Sequence, residues 1–363
     1  MTRLLALVAL AACGPRYEES SIGHMRLLST DVRMQRDGHR ALRVPVGIGA
    51  SSFLATLQPT TPFVGHIRSL ENSDGILLYD AITETKSAFS STNAGFLGPV
   101  ASLNWPRHGR DAPLREGKWR LEIGVADTEG FYAQESARLD LLFKSDIDPT
   151  SGILRVALVF AGSTADDADL VEATREAVEH WRALYATAGI ELDLTELEYP
   201  EGNLQPPGAG SDRHYVQIAE ETGVGVINVV IVPAIVGVED VYGIAGDIPG
   251  PLVPSIRTAV LVSAEEARGP DGRFDETELR IYGETLAHET GHLLGLFHPV
   301  ETTLDVWDAL DDTPQCSSNR SCESKMADNL MYPFPVCTLF TCVPQTTITD
   351  DQATAANLYV GVD

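Results

Sequence analysis

Two periodicities divide the chain. Between residues 25 and 146, apolar and polar positions alternate over short runs such as 41–46 and 118–125. Turn formers separate these runs, among them Asn72-Ser73-Asp74-Gly75 and Arg115-Glu116-Gly117. A period of two puts apolar side chains on one face of a strand. Residues 137–143 form a last strand of this kind, and no stretch carries a useful helical period. The expectation is an all-β sandwich over 25–146.

The turn-rich run Ser145-Asp146-Ile147-Asp148-Pro149-Thr150-Ser151-Gly152 marks a boundary, and the pattern beyond it changes. Residues 153–160 are a strongly apolar strand. Residues 166–188 repeat at three and four, with Leu170, Ala173, Ala177, Val178, Trp181 and Leu184 on one face and Gly189 as the stop. Strands are expected at 190–197, 225–232 and 258–263. Asp275, with Glu278 three residues on, starts another helix in the manner of a capping box. The second unit, 147–363, is therefore α/β (α+β), with a mixed twisted sheet, and the whole chain is multidomain.

The helix that begins at Asp275 carries His288-Glu289-Thr290-Gly291-His292-Leu293-Leu294-Gly295-Leu296-Phe297-His298. Histidines at i and i+4 share one helical face, so both imidazoles can reach one ion. Gly295 suits a left-handed residue that ends the helix and turns the chain. His298 then returns as a third ligand, leaving a fourth position open for water, as a catalytic zinc requires. Glu289, beside the first ligand, is placed to act as general base. On average residue usage a bare His-Glu-x-x-His arises by chance in about one protein in a hundred of this length, and the added Gly and His lower that about 500-fold.

With all five defining residues present, this segment resembles the long signature of the metzincin zinc metallopeptidases. The resemblance implies one catalytic Zn²⁺ held by His288, His292 and His298. Glu289 would be the catalytic residue, and a methionine would lie in a tight turn beneath the metal. Asn329-Leu330-Met331-Tyr332-Pro333 looks like that turn, with Met331 as its methionine. Within the family, Leu330-Met331-Tyr332-Pro333 is similar to the matrix metallopeptidases, and Pro299 to the serralysins. Asp312-Thr313-Pro314, the nearby cysteines, Ile348-Thr349-Asp350-Asp351-Gln352 and the 33-residue step from His298 to Met331 are similar to the pappalysins. Pro333 stands where astacins and serralysins carry a tyrosine that can approach the metal, so a tyrosine ligand switch is not expected. By the same resemblance a protein or peptide substrate would lie extended along an edge strand near 242–247. Tyr332 and Pro333 would wall its side-chain pocket. Residues 25–146 hold no cysteine for a matrix-type latency switch, and the sequence leaves them as either a pro-domain or an accessory unit.

Composition adds limits. The chain has 363 residues, 44% hydrophobic and 21% charged, enough for a sizeable core. The net charge of −26 excludes a nucleic-acid partner. Residues 13–146 carry 15 basic against 16 acidic side chains, and residues 147–363 carry 10 against 36. The acidic half admits three readings: solubility, calcium binding, or attraction of basic substrates. Glu301, Asp305, Asp308, Asp311 and Asp312 are the candidate Ca²⁺ cluster, though their spacing matches no EF-hand.

At the start, Arg3 and the apolar run 4–12 read as an export signal over 1–12. Leu10-Ala11-Ala12-Cys13 resembles a bacterial lipobox. It implies lipidation of Cys13, a tether over 13–24 and an exported bacterial lipoprotein, anchored to a membrane and facing the periplasm or the cell surface. Cys316, Cys322, Cys337 and Cys342 are then expected to form two disulfides, with three pairings open and a four-cysteine zinc site as the competing arrangement. Two functions follow. One is a zinc endopeptidase. The other is a surface lipoprotein binding module with a catalytically silent metal domain. The intact Glu289 favours the enzyme.

Overall fold

The computed structural model describes residues 16–145, 150–210, 212–269, 271–338 and 341–363. Cys13 and residues 146–149 of the expected linker lie outside them.

The alternating runs of the first half build two antiparallel sheets. One has five strands, in the order Glu18–Ile22, Met25–Arg33, Ser136–Lys144, Ser52–Pro59 and Ala101–Trp105. The other has four, in the order His39–Val46, Gly117–Ala126, Val64–Glu71 and Leu77–Asp80. Their inward positions, including Leu28, Phe53 and Leu141 from one and Val44, Ile67 and Trp119 from the other, share a single apolar cluster. Within the tether expected over 13–24, Glu18–Ile22 is a strand paired with Met25–Arg33, Ile22 lying opposite Met25. Its side chains are mostly exposed and polar, so no apolar alternation betrayed it. The hairpin forms because Gly23 takes a positive φ of 57° in the turn.

In the second half, four parallel strands and one antiparallel edge strand run in the order Ile190–Tyr199, Gly152–Ala161, Ile227–Val232, Ala259–Ser263 and Gly243–Ala245. Strands covered on both faces need near-continuous apolar sequence, and Ile227–Val232 and Ala259–Ser263 are buried at every position. The helix Ala168–Thr187 buries the six residues named from its period, together with Thr174 and Tyr185. It packs on the helix Glu276–Leu293, which starts with the complete Asp275/Glu278 capping box.

The two halves are joined closely. Met25, Leu54 and Leu142 belong to the same apolar cluster as Leu154, Ala356 and Val362. The Asn104 side chain donates to the Leu358 carbonyl (3.0 Å) and accepts from the Val360 N–H (3.1 Å). The buried Lys144 ammonium donates to the Asn357 carbonyl (3.0 Å). A short strand, Trp307–Asp308, pairs in parallel with Phe89–Ser90 of the first half.

Asp308 on that seam is only 2% exposed, and burial pushes its carboxyl up to about 7, with the charges of Asp312 and Asp351 adding to the rise. Thr313 Oγ1 and the Leu310 N–H donate to Oδ1, whereas Oδ2 has no partner. Because the folded chain holds this proton longer than the unfolded chain, whose Asp titrates near 3.9, ionisation opposes folding. The penalty is absent below about pH 4, grows as pH rises, and is complete above about 7, at roughly 4 kcal/mol for a shift of about three units. Asp308→Asn is therefore expected to gain stability on the wild type as pH rises from 5 to 8. Thermal unfolding of both proteins across that pH range measures this. A difference in Tm that does not change with pH would refute the assignment.

Candidate active site

The helix Glu276–Leu293 brings His288 and His292 to one face, and the chain turns immediately beyond it. Gly295 adopts φ 97°, a left-handed value that an L side chain resists, and its N–H bonds to the His292 carbonyl. The turn returns His298 to the other two. His298 Nε2 lies 3.2 Å from His288 Nε2 and 3.2 Å from His292 Nε2. Among the described residues, this is the one group of three or more His, Cys, Asp or Glu side chains whose ligand atoms converge, all within 4.8 Å.

The other ring nitrogens explain the orientation. His288 Nδ1 donates to the Leu330 carbonyl and His292 Nδ1 to the Leu296 carbonyl, each at 2.7 Å. Carbonyls only accept, so both Nδ1 atoms carry protons and both Nε2 atoms offer lone pairs. His298 Nδ1 lies 3.1 and 3.2 Å from the Glu301 carboxylate oxygens, which sets the same tautomer. The Nε2 atoms of the three rings thus face one another, an arrangement suited to a cation at its centre. A tetrahedral zinc with bonds of about 2.0–2.1 Å needs nitrogens about 3.3 Å apart, which fits the two Nε2 separations to His298. Burial lowers His288 to about 3 and His292 well below the ordinary imidazole range, with the neighbouring rings adding to the effect, so both stay neutral as ligands must.

Met331 is fully buried in a tight turn beside Gly291 of the same helix. The turn is fixed by Asn329: its side chain accepts from the Met331 N–H (2.9 Å), and its amide exchanges two hydrogen bonds with Gln352. A Cβ at Gly291 would stand 2.8 Å from Met331 Sδ, so a larger residue there would push the methionine side chain aside. The same turn supplies the Leu330 carbonyl that orients His288.

A cavity of about 230 Å³ opens beside His288 and Glu289. Tyr332, Pro333 and Phe334 form one wall, and the edge-strand side contributes Tyr242 and Gly243. Tyr332 and Pro333, the residues expected to wall a substrate pocket, line this cavity. The lining residues all lie between 240 and 345, so residues 16–145 contribute none. Burial pushes Glu289 up to about 8, against a backbone hydrogen bond from Ala245 in the edge strand. A dication beside the carboxyl would act in the opposite sense.

The cysteines pair as Cys316–Cys322 and Cys337–Cys342, which resolves the open connectivity and excludes the four-cysteine zinc site. The acidic cluster does not gather into an oxygen cage. Asp311 pairs with Arg110, Asp312 accepts from Thr349 Oγ1 and the Asp351 N–H, Asp308 is buried against Thr313, and Glu301 faces His298.

Sequence reading missed the role of Glu301, although His298-x-x-Glu301 is a spacing that could have drawn attention to it. A carboxylate behind a metal-binding imidazole fixes its ring and raises its basicity, and losing one typically costs about 10–100-fold in metal affinity. Glu301→Ala is expected to weaken zinc binding by that factor, and Glu301→Gln by less, since the amide oxygen still accepts. Competition against a chromophoric chelator measures both. Unchanged affinity in Glu301→Ala would show that the contact does not tune the ligand.

No family model matches the chain, and no curated protein aligns with it. Solved structures similar to it include archaemetzincin from Methanopyrus kandleri, at 14% identity, covering 56% of this chain and 86% of that one, with a TM-score of 0.29. Metalloproteinase-II from Bacteroides fragilis is similar at 11% identity over 77% of this chain and 74% of that one, with a TM-score of 0.27. Myroilysin is similar at 12% identity over 59% and 97%, with a TM-score of 0.28.

Proposed function

We propose that the chain is a zinc-dependent endopeptidase of the metzincin type. The observation that carries this reading is the triad itself. Three imidazoles turn their unprotonated nitrogens on one point, and a glutamate follows the first of them on an open cavity. Bound there, zinc would lower the pKa of a water towards about 7 and polarise a substrate carbonyl.

The chain's own residues supply the rest. His288, His292 and His298 would hold the ion, and the Leu330 and Leu296 carbonyls and Glu301 keep the rings in place. Glu289 takes the proton of the attacking water and passes it to the leaving amine. Gly243–Ala245, at the open edge of the sheet, offers backbone groups to which an extended peptide can add as a further strand. The hydrogen bond from Ala245 to Glu289 would tie that strand to the base.

We read the two sheets of the first half as a β-sandwich that serves as an accessory unit. An inhibitory pro-domain would be expected to cover the cavity, whereas none of its described residues lines it. This unit grips the second half at residues 357–360 and at the strand Trp307–Asp308. Export and anchoring through a lipid on Cys13 belong to the same proposal and rest on the Leu10-Ala11-Ala12-Cys13 pattern. The two disulfides fit an oxidising compartment. No helix of the described residues is long and apolar enough to cross a membrane.

Metal analysis of protein purified without chelator, combined with digestion of a peptide library, tests the reading. About one zinc per chain and chelator-sensitive cleavage are expected. Zinc-loaded protein that cleaves nothing would overturn the peptidase assignment and favour the binding-module alternative.

A further inference from the structure

The first half carries a cavity that the proposed chemistry does not use. It lies on the outer face of the four-stranded sheet, measures about 460 Å³ and is lined only by residues between 66 and 132. Small-molecule sites span roughly 300–1,000 Å³. Alternation along the strand Gly117–Ala126 buries Leu121 and Ile123 in the core and turns Arg120, Glu122 and Gly124 outward. His39 and His66 stand opposite Gly124, one on each neighbouring strand. A Cβ at Gly124 would stand 2.8 Å from His39 Nδ1 and closer still to His66 Nε2, so a larger residue there would push both rings aside.

Beside the histidines, the floor is a row of charges that alternate in sign. Glu71 pairs with Arg120, Arg120 with Glu122 (2.8 Å), and Glu122 with Arg68 (2.7 Å). These four side chains remain 20–43% exposed, so a ligand can reach them. Polar atoms are left over: Arg68 Nε and Nη2, Arg120 Nε and Glu71 Oε2 make no hydrogen bond among the described residues. Burial holds His66 down to about 4, so it adds no charge. With Asp80, the lining sets two guanidinium groups among three carboxylates, and a charged ligand of either sign would meet repulsion. A hydroxyl both donates and accepts, so a neutral polyol can bond guanidinium and carboxylate side by side.

The walls are apolar. Leu77, Ile82, Leu97 and Tyr132 line the cavity, yet each is 43–56% exposed. The Tyr132 ring packs edge-on against His39 with centroids 4.1 Å apart, and its hydroxyl lies 3.4 Å from His66 Nε2. A polar floor under open apolar walls matches the two aspects of a pyranose, its hydroxyl edge and its C–H face. An extended peptide would add to a free strand edge. The floor strands Val64–Glu71 and Gly117–Ala126 are interior to the sheet and offer none.

We propose that this cavity binds a neutral sugar, with Arg68, Glu71, Arg120 and Glu122 along its hydroxyls and Tyr132 along its C–H face. The inference stands on the first half and does not depend on the peptidase reading.

Calorimetric titration of the whole protein tests it. The probes are chitotetraose, cellotetraose, maltotetraose and mannotetraose, with tetragalacturonate and the protonated glucosamine tetramer as charged counterparts. At least one neutral sugar should bind saturably, and both charged tetramers about tenfold more weakly or not at all. Arg68→Met removes donors and Tyr132→Ala removes the ring, and each should weaken that binding about tenfold. If Arg68→Met does not fold, Tyr132→Ala decides, since its side chain is half exposed. Three results overturn the inference: no neutral sugar bound, a charged tetramer bound more tightly, or equal affinity in wild type and folded Tyr132→Ala. Binding to phosphatidylcholine vesicles without binding of any sugar also overturns it and assigns the apolar walls to lipid.

Discussion

Glu289→Ala is expected to lower kcat by about 10²–10⁴-fold or more while leaving fold and zinc content unchanged. Three histidines suffice to hold the metal, and Glu289 is not among the converging group, so the substitution removes no ligand. It removes the group that takes the water's proton and returns it to the leaving amine. One side chain serves both transfers, so the loss should reach or pass the upper part of that range. KM should change little, because the interaction is made mainly in the transition state. Steady-state kinetics on a responsive peptide, with zinc measured in the same samples, checks each part. The binding-module alternative expects no effect on its function, so this variant separates the two classes. Wild-type protein that cleaves no faster than Glu289→Ala at equal zinc content would identify the activity as a contaminant.

The sequence disclosed the parts of the site that are local. His288, Glu289, His292, Gly295 and His298 occupy eleven consecutive residues, and helical spacing alone brings the first ligands together. The long helix was legible to within two residues at its start because its six apolar positions repeat without interruption and all are buried. The parts that escaped reading depend on distant chain. Leu330 orients His288 through a carbonyl, which every residue carries, so no side-chain signal marks it. Arg280-x-x-x-Glu284 is an ordinary helical ion-pair spacing, and only the tertiary structure shows Glu284 buried at the cavity beside His288. The helix Asp212–Thr222 was missed because it follows a Pro/Gly-rich run and buries only Tyr215, Ile218 and Ala219. The helix Asp350–Leu358 could have been found, since Thr349 and Gln352 have the spacing of a capping box, and both of its hydrogen bonds form. The acidic segment after His298 invited a calcium reading because charge density shows in sequence, whereas the cap at Asp351 and the partner at Arg110 that engage those carboxylates do not.

His298→Ala should abolish the gain in stability that zinc confers on the wild type. His298 is the third ligand to test because it stands outside the helix, on a chain turned by Gly295 and held by Glu301. Its side chain is 21% exposed, so truncation leaves little internal void, in contrast to the buried His292. The folded protein should therefore survive the change, and the effect should fall on the metal. With two nitrogens left, affinity should drop by more than the roughly 10–100-fold expected when only the support at Glu301 is lost. A ligand that binds only the folded chain stabilises it by RT ln(1 + [L]/Kd), about 4.1 kcal/mol at a thousandfold excess over Kd. A thousandfold loss of affinity at fixed zinc would remove nearly all of that gain. Thermal unfolding with and without added zinc, beside direct metal analysis, reads both quantities in one set of samples. The wild type should show a zinc-dependent rise in Tm, and His298→Ala should show a much smaller one, with a metal-free Tm close to that of metal-free wild type. Equal zinc content and an equal rise in Tm in the two proteins would mean that the metal is held elsewhere and that the converging imidazoles are not its site.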